Sequence, residues 1–189
     1  MRRIAIAVLA LTFALPLVAQ TRPDPVVLQA AQRQAMAPLA RMEGVWRGPA
    51  WSMTQNGRHE IIQTERIGPF LGGSVKMIEG RGYNADGTVG FNALGVISFN
   101  PATNAYTISS WAMGNSGVFP FRVTAEGYEW EIPAGPGATI RYSATITADT
   151  LREVGFMVRG SAPPVQIFEM NLRRVGNGDW PGAGAIPMR

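Results

Sequence analysis

The chain contains no cysteine. That excludes disulfide bridges, thiolate nucleophiles, cysteine-ligated metals and a lipid anchor on cysteine, whatever the compartment. It has one histidine, His59, so a His-Glu-x-x-His zinc site cannot be assembled. Lys76 is the single lysine and the arginines are scattered. A nucleic-acid face needs clustered positive charge, and the sequence offers none. Neither Gly-x-Ser-x-Gly nor Ser-x-x-Lys occurs; "GNSGV" at 114–118 does not fit the first. Long apolar runs are missing too. The run from Ile4 to about Ala14 falls short of the roughly 20 residues that a membrane-spanning helix needs.

That run has another meaning. "MRRIAIAVLALTFALPLVAQ" joins two arginines to an apolar core and ends in small residues, the pattern of a secretory signal peptide over 1–20. Cleavage is expected near Ala19 or Gln20, giving a periplasmic or secreted product with no transmembrane segment. Arg2 and Arg3 resemble the start of a twin-arginine signal, but the rest of that signal is absent, so general secretion is the reading. Removing these two from 17 basic residues leaves 15 against 13 acidic ones, a net charge of +2. The mature chain, about 170 residues, suffices for one domain with its own core.

Residues 21–42 predict a short helix and linker. Asp24 is placed to cap it with Pro25 in the first turn, and Pro38 breaks or restarts it. Beyond residue 43 the pattern changes. Turn sequences recur every ten to fifteen residues, among them "QNG" at 55–57, "NADG" at 84–87, "NPATN" at 100–104 and "PAGPG" at 133–137. Between them apolar and polar residues alternate. Tyr128, Trp130 and Ile132 oppose Glu129 and Glu131; Ile140, Tyr142, Ala144 and Ile146 oppose Arg141, Ser143 and Thr145. Phe119, Phe121 and Val123 form a third such set, and Phe168, Met170 and Leu172 a fourth. About ten short strands, dry on one face and wet on the other, with no room for crossover helices, predict an all-β fold. The expected form is an antiparallel up-and-down barrel of 8–10 strands over 43–175. The last residues, 176–189, read as a flexible Gly- and Pro-rich tail in which Trp180 could dock.

A short helix, then "MEGVWRG" at 42–48, "GPFLGG" at 68–73 and "GVISFNPATNAYTISSW" at 95–111 resemble a lipocalin-like (calycin) barrel. More narrowly, they resemble the exported bacterial lipocalin-like families of unknown function, over roughly 39–175. The resemblance implies that Gly44 and Trp46 belong to the barrel floor. An arginine of the last strand, Arg173 or Arg174, would pack across Trp46, a cation–π contact of roughly 0.5–2 kcal/mol. Pro49 cannot donate to a ladder, so a bulge is expected there, turning Trp51 inward. A haem-binding branch, the nitrobindin-like proteins, uses a histidine late in the chain. None stands there, and no cofactor or metal is expected.

Strand residues 59–66 break the clean alternation: His59, Gln63 and Glu65 share one face, Glu60, Thr64 and Arg66 the other. Either choice buries polar groups, which then need partners. Glu65 or Arg66 could hold a ligand's polar head group; an internal Arg–Glu pair or a solvated barrel mouth is the plainer alternative. His59 beside the "QNG" turn reads as a strand-end residue, with a catalytic or ligating role as the sharper option. Trp111, Met113, Phe121, Trp130, Tyr142, Phe156 and Met170 either fill the barrel or line a cavity, and ten strands leave room for a cavity. The expected partner is therefore a small hydrophobic or amphipathic molecule bound by these residues with Trp51, Glu65 and Arg66. A cofactor-free isomerase, cyclase or hydratase using Glu65, Arg66 or His59 is the second reading. A filled envelope protein is the third. The sequence leaves the oligomeric state open.

Overall fold

The structure, a computed structural model, describes residues 23–178. The expected signal peptide, most of the tail and Trp180 lie outside the described residues. Helix α1 spans Pro25–Met36: Asp24 Oδ1 accepts the Val26 amide at 2.9 Å and Pro25 occupies the first turn. At Pro38 the chain tightens into a 3-10 helix, Ala37–Met42. A Pro there has no amide to give a continuing α-helix.

Ten strands follow: β1 Gly44–Thr54, β2 Gly57–Phe70, β3 Val75–Tyr83, β4 Val89–Asn100 and β5 Ala105–Ala112, then β6 Asn115–Val123, β7 Gly127–Pro133, β8 Ala138–Ile146, β9 Thr150–Arg159 and β10 Val165–Gly176. Each pairs antiparallel with its neighbour in sequence, and β10 returns to β1, so the sheet closes. The turns are as short as the sequence implied. Between β5 and β6 only Met113 and Gly114 intervene, at φ 50° and 83°, the pair of positive angles that a tight primed hairpin requires.

The alternating strands place their apolar face inward. Aromatic rings run from strand to strand inside: Phe121 stacks on Tyr128 at 5.2 Å, Trp130 on Tyr142 at 4.4 Å, and Tyr142 meets Phe168 edge-on at 5.8 Å. Outside, the scattered arginines meet carboxylates. Arg66 and Arg81 both reach Glu79, at 2.6 and 2.8 Å, Arg152 reaches Glu169 at 2.8 Å, and Arg122 pairs with Glu129. Such exposed pairs contribute about 0–1 kcal/mol each. They account for the spread of arginine along the chain rather than for its stability.

One end is plugged. Trp46 is wholly buried and its Nε1 donates to the Met42 carbonyl at 2.8 Å. The Arg174 guanidinium lies over the ring, 4.0 Å from its centroid. Arg174 also donates to the carbonyls of Ala148 at 2.7 Å, Arg41 at 3.0 Å and Glu43. Gly44 sits at φ 134°, and a Cβ there would collide with the Arg174 guanidinium. Leu39 and Met42 are fully buried beneath the helix, and Lys76 pairs with Glu43 beside them. Tyr106 ties the helix down by donating to the Ala35 carbonyl at 2.7 Å. The bulge lies between Val45 and Trp46 rather than at Pro49. Truncating Trp46 to Ala is expected to cost roughly 3–5 kcal/mol in denaturant titration; a loss near zero would show that the indole is not the plug.

Candidate functional site

Above the floor the barrel encloses a cavity of about 640 Å³. It opens at the opposite end, where the turns after Thr54 and Ala112 bring His59, Met113, Asn115 and Ser116 to the mouth. His59 bonds Asn84 Oδ1 there at 3.1 Å and is exposed, a strand-end residue. Deeper, the wall is mostly aliphatic and aromatic: Ile61, Ile108, Phe119, Phe121, Phe168 and Met170.

Into this apolar interior β2 and β9 bring two carboxyls. Glu65 is 8 % exposed and Glu153 6 %. Glu65 Oε1 accepts from Gln63 Nε2 at 2.7 Å, while its Oε2 is buried without a hydrogen-bond partner. Gly80 on β3 makes the room: a Cβ there would stand 2.8 Å from Glu65 Oε1 and 3.0 Å from Gln63 Nε2. Glu153 Oε1 accepts from Trp130 Nε1 at 2.7 Å, and the Tyr128 side chain also bonds it. Desolvation dominates both groups. It raises Glu65 to about 8 against the Gln63 hydrogen bond, with the charges of Glu153 and Glu79 adding to it. It raises Glu153 to about 7 against the bonds from Trp130 and Tyr128. Burial also pushes the Tyr128 and Tyr142 hydroxyls up, and the negative charge of Glu153 adds to both. Near neutrality the pair therefore holds protons that ordinary carboxylates have lost.

Of the residues singled out from sequence, Trp51, Glu65, Met113, Phe121, Trp130, Tyr142 and Met170 line the cavity. Three others need correction. Arg66 points outward to Glu79, because Glu65 takes the inward position and strand neighbours alternate. Trp111 is 48 % exposed on the outer wall; Ile108, Ser110 and Ala112 hold the inward positions of β5. Phe156 is outward too, opposite Arg141 in the unbroken β8–β9 register that places Leu151 and Glu153 inside. Trp51 borders the cavity with its ring under Arg58 at 4.4 Å. It does so without a bulge at Pro49, since the β1–β10 register runs unbroken from Trp46 to Ser52. On the floor, Arg174 and not Arg173 covers Trp46; Arg173 is exposed on the outer face beside Arg47.

Glu153 was missed. The signal was present in the hairpin "ITADTL": Ile146 faces inward and pairs with Leu151, so Glu153, two residues on, faces inward with Ala144. Among the described residues no group of three or more His, Cys, Asp and Glu side chains could hold a metal ion. No helix there is long and apolar enough to cross a membrane.

No family model and no curated protein matches this chain. Among solved structures it superposes on Rv2717c from M. tuberculosis with a TM-score of 0.54 at 17% identity, covering 76% of this chain and 96% of that one. The likeness concerns the fold alone, a closed ten-strand barrel consistent with the calycin type.

The two raised carboxyls set a pH dependence. Each keeps its proton in the folded state through a range where the unfolded chain, near 4.5, has released it. Their contribution is intact below about pH 4.5 and is lost as pH rises toward 7 and 8. The lowered carboxylates Glu79 and Glu169 act below that window, in the opposite sense. Unfolding free energy is expected to fall by several kcal/mol between about pH 5 and 8, and Glu65→Gln should flatten the slope. A flat or rising profile in the unsubstituted protein would contradict this.

Proposed function

We propose that this chain is an exported, lipocalin-like protein that takes up one small, largely apolar molecule through the open end of its barrel. One observation carries the reading: a cavity of about 640 Å³ whose wall is mostly apolar and which holds a buried polar cluster, Gln63, Glu65, Tyr128 and Glu153. Ligand pockets commonly span about 300–1,000 Å³ and pair an apolar wall with a few fixed polar groups. The ligand's body lies against the rings of β6, β7, β8 and β10, and its polar end at the two glutamates. Export rests on the signal-like first twenty residues. The bacterial lipocalin-like assignment rests on the Gly44–Trp46–Arg174 floor together with the strand pattern.

A second reading has its own support. Two carboxyls raised to about 8 and 7 in one cavity suit proton transfer at neutral pH, as a cofactor-free isomerase or hydratase would need. Glu153 replaces Arg66 and His59 as the partner of Glu65 in such chemistry.

Native mass spectrometry of the protein purified from its host is expected to show a stoichiometric small-molecule adduct. Ala93→Trp, which fills the cavity wall, should remove the adduct without unfolding the barrel. Only the bare mass, with no uptake of an apolar fluorophore, would overturn the binding reading. A ligand returned chemically altered after incubation with emptied protein would favour the enzyme.

A further inference from the structure

We infer that the polar end of the ligand is a basic nitrogen, so that the cavity receives a hydrophobic amine as its ammonium ion, held by Glu65 and Glu153. This rests on the binding reading above and narrows its ligand class.

The charge of the interior points this way. The titratable groups facing the cavity are Glu65 on β2, Glu153 on β9, Tyr128 on β7 and Tyr142 on β8, with His59 at the mouth. Among the described residues no arginine or lysine lines it. Two cations do face inward, but on the floor. Lys76 is engaged by Glu43, and the Ile67–Ile78 pair separates it from Glu65 along the β2–β3 ladder. Arg174 is engaged over Trp46, and the Leu151–Leu172 pair separates it from Glu153. Glu79, on the outer face of β3, adds negative charge near Glu65 and is held outside by Arg66 and Arg81. A fatty acid or phosphate ester would thus bring a buried negative charge beside two acidic groups, with no cation to meet it.

An ammonium ion meets the opposite reception. Glu65 Oε2 is a buried acceptor without a donor. Beside Glu153, Trp130 and Tyr142 stack within 13° of parallel, and aromatic faces attract cations. A charge-assisted hydrogen bond inside an apolar cavity is stronger than a neutral one. The proton balance is simple. When R–NH₃⁺ enters beside a protonated glutamate, the carboxyl releases its proton to solvent and the ion pair R–NH₃⁺···⁻OOC remains. Uptake therefore releases a proton, and amine affinity rises as pH climbs from about 5 to 8.

Calorimetry of the full, ligand-free protein with decylammonium, decanol and decanoate separates these chemistries at one chain length. Near pH 8, decylammonium should bind about tenfold or more tighter than decanol, and decanoate weakest. Its heat should vary with the buffer's ionisation enthalpy, reporting the released proton. Glu65→Gln should remove most of the amine's advantage over decanol, and a cooperative thermal unfolding transition of the variant shows that it is folded. Decanol or decanoate binding as tightly as the amine would overturn the amine assignment and leave the binding reading standing. Failure of all three to bind would overturn both.

Discussion

The return of β10 onto β1 is the constraint on which everything else in this molecule depends. Once the sheet closes, every strand residue is committed to an inside or an outside, and the choice alternates with each step. Glu65 and Arg66 show what that means: adjacent in sequence, one is buried in the cavity wall and the other meets Glu79 on the outer wall. Closure also removes the exposed edges of the sheet. It leaves two ends to be dealt with, and they are treated differently.

At one end the Gly44–Trp46 strand start, the 3-10 helix and Arg174 form a single plug. Arg174 closes it by stacking on Trp46 and donating to three carbonyls from two segments, Arg41 and Glu43 just before β1 and Ala148 between β8 and β9. The other end stays open. The interior is thereby a blind, mostly apolar chamber, and a carboxyl on its wall loses hydration without gaining a cation. That is why Glu65 and Glu153 are raised toward neutrality while outside the barrel Glu79, bonded by Arg66 and Arg81, and Glu169, bonded by Asn171 and Arg152, are lowered. Opposite shifts in one residue type follow from which side of a single sheet each occupies.

The architecture was legible in sequence because its signals are local. Gly- and Asn-rich turns, the period of two in "GYEWEI" and "TIRYSATIT", and the Asp24–Pro25 helix start each announce themselves within a few residues. The site was less legible because its phase is set at a distance. Trp111 and Phe156 have the chemistry of cavity residues, but the register through Ile108 and Leu151 puts them outside. The bulge expected at Pro49 falls instead at Val45–Trp46, so Trp51 borders the cavity without it. Glu153 escaped notice because its parity is inherited across a turn from Ile146. Composition tells which residues suit a cavity; pairing tells which ones reach it.

Two buried carboxyls, both raised by desolvation inside a mostly apolar barrel, are the feature that gives this cavity a chemical preference. The direct measurement is a carbon-13 NMR titration of the glutamate carboxyls in ligand-free protein, with Glu65 and Glu153 assigned by their Gln substitutions. Two resonances that titrate near 8 and 7, well apart from the rest, are the expected result. Both titrating near the ordinary 4.5 would mean the interior is wet, and the chamber described here would not exist.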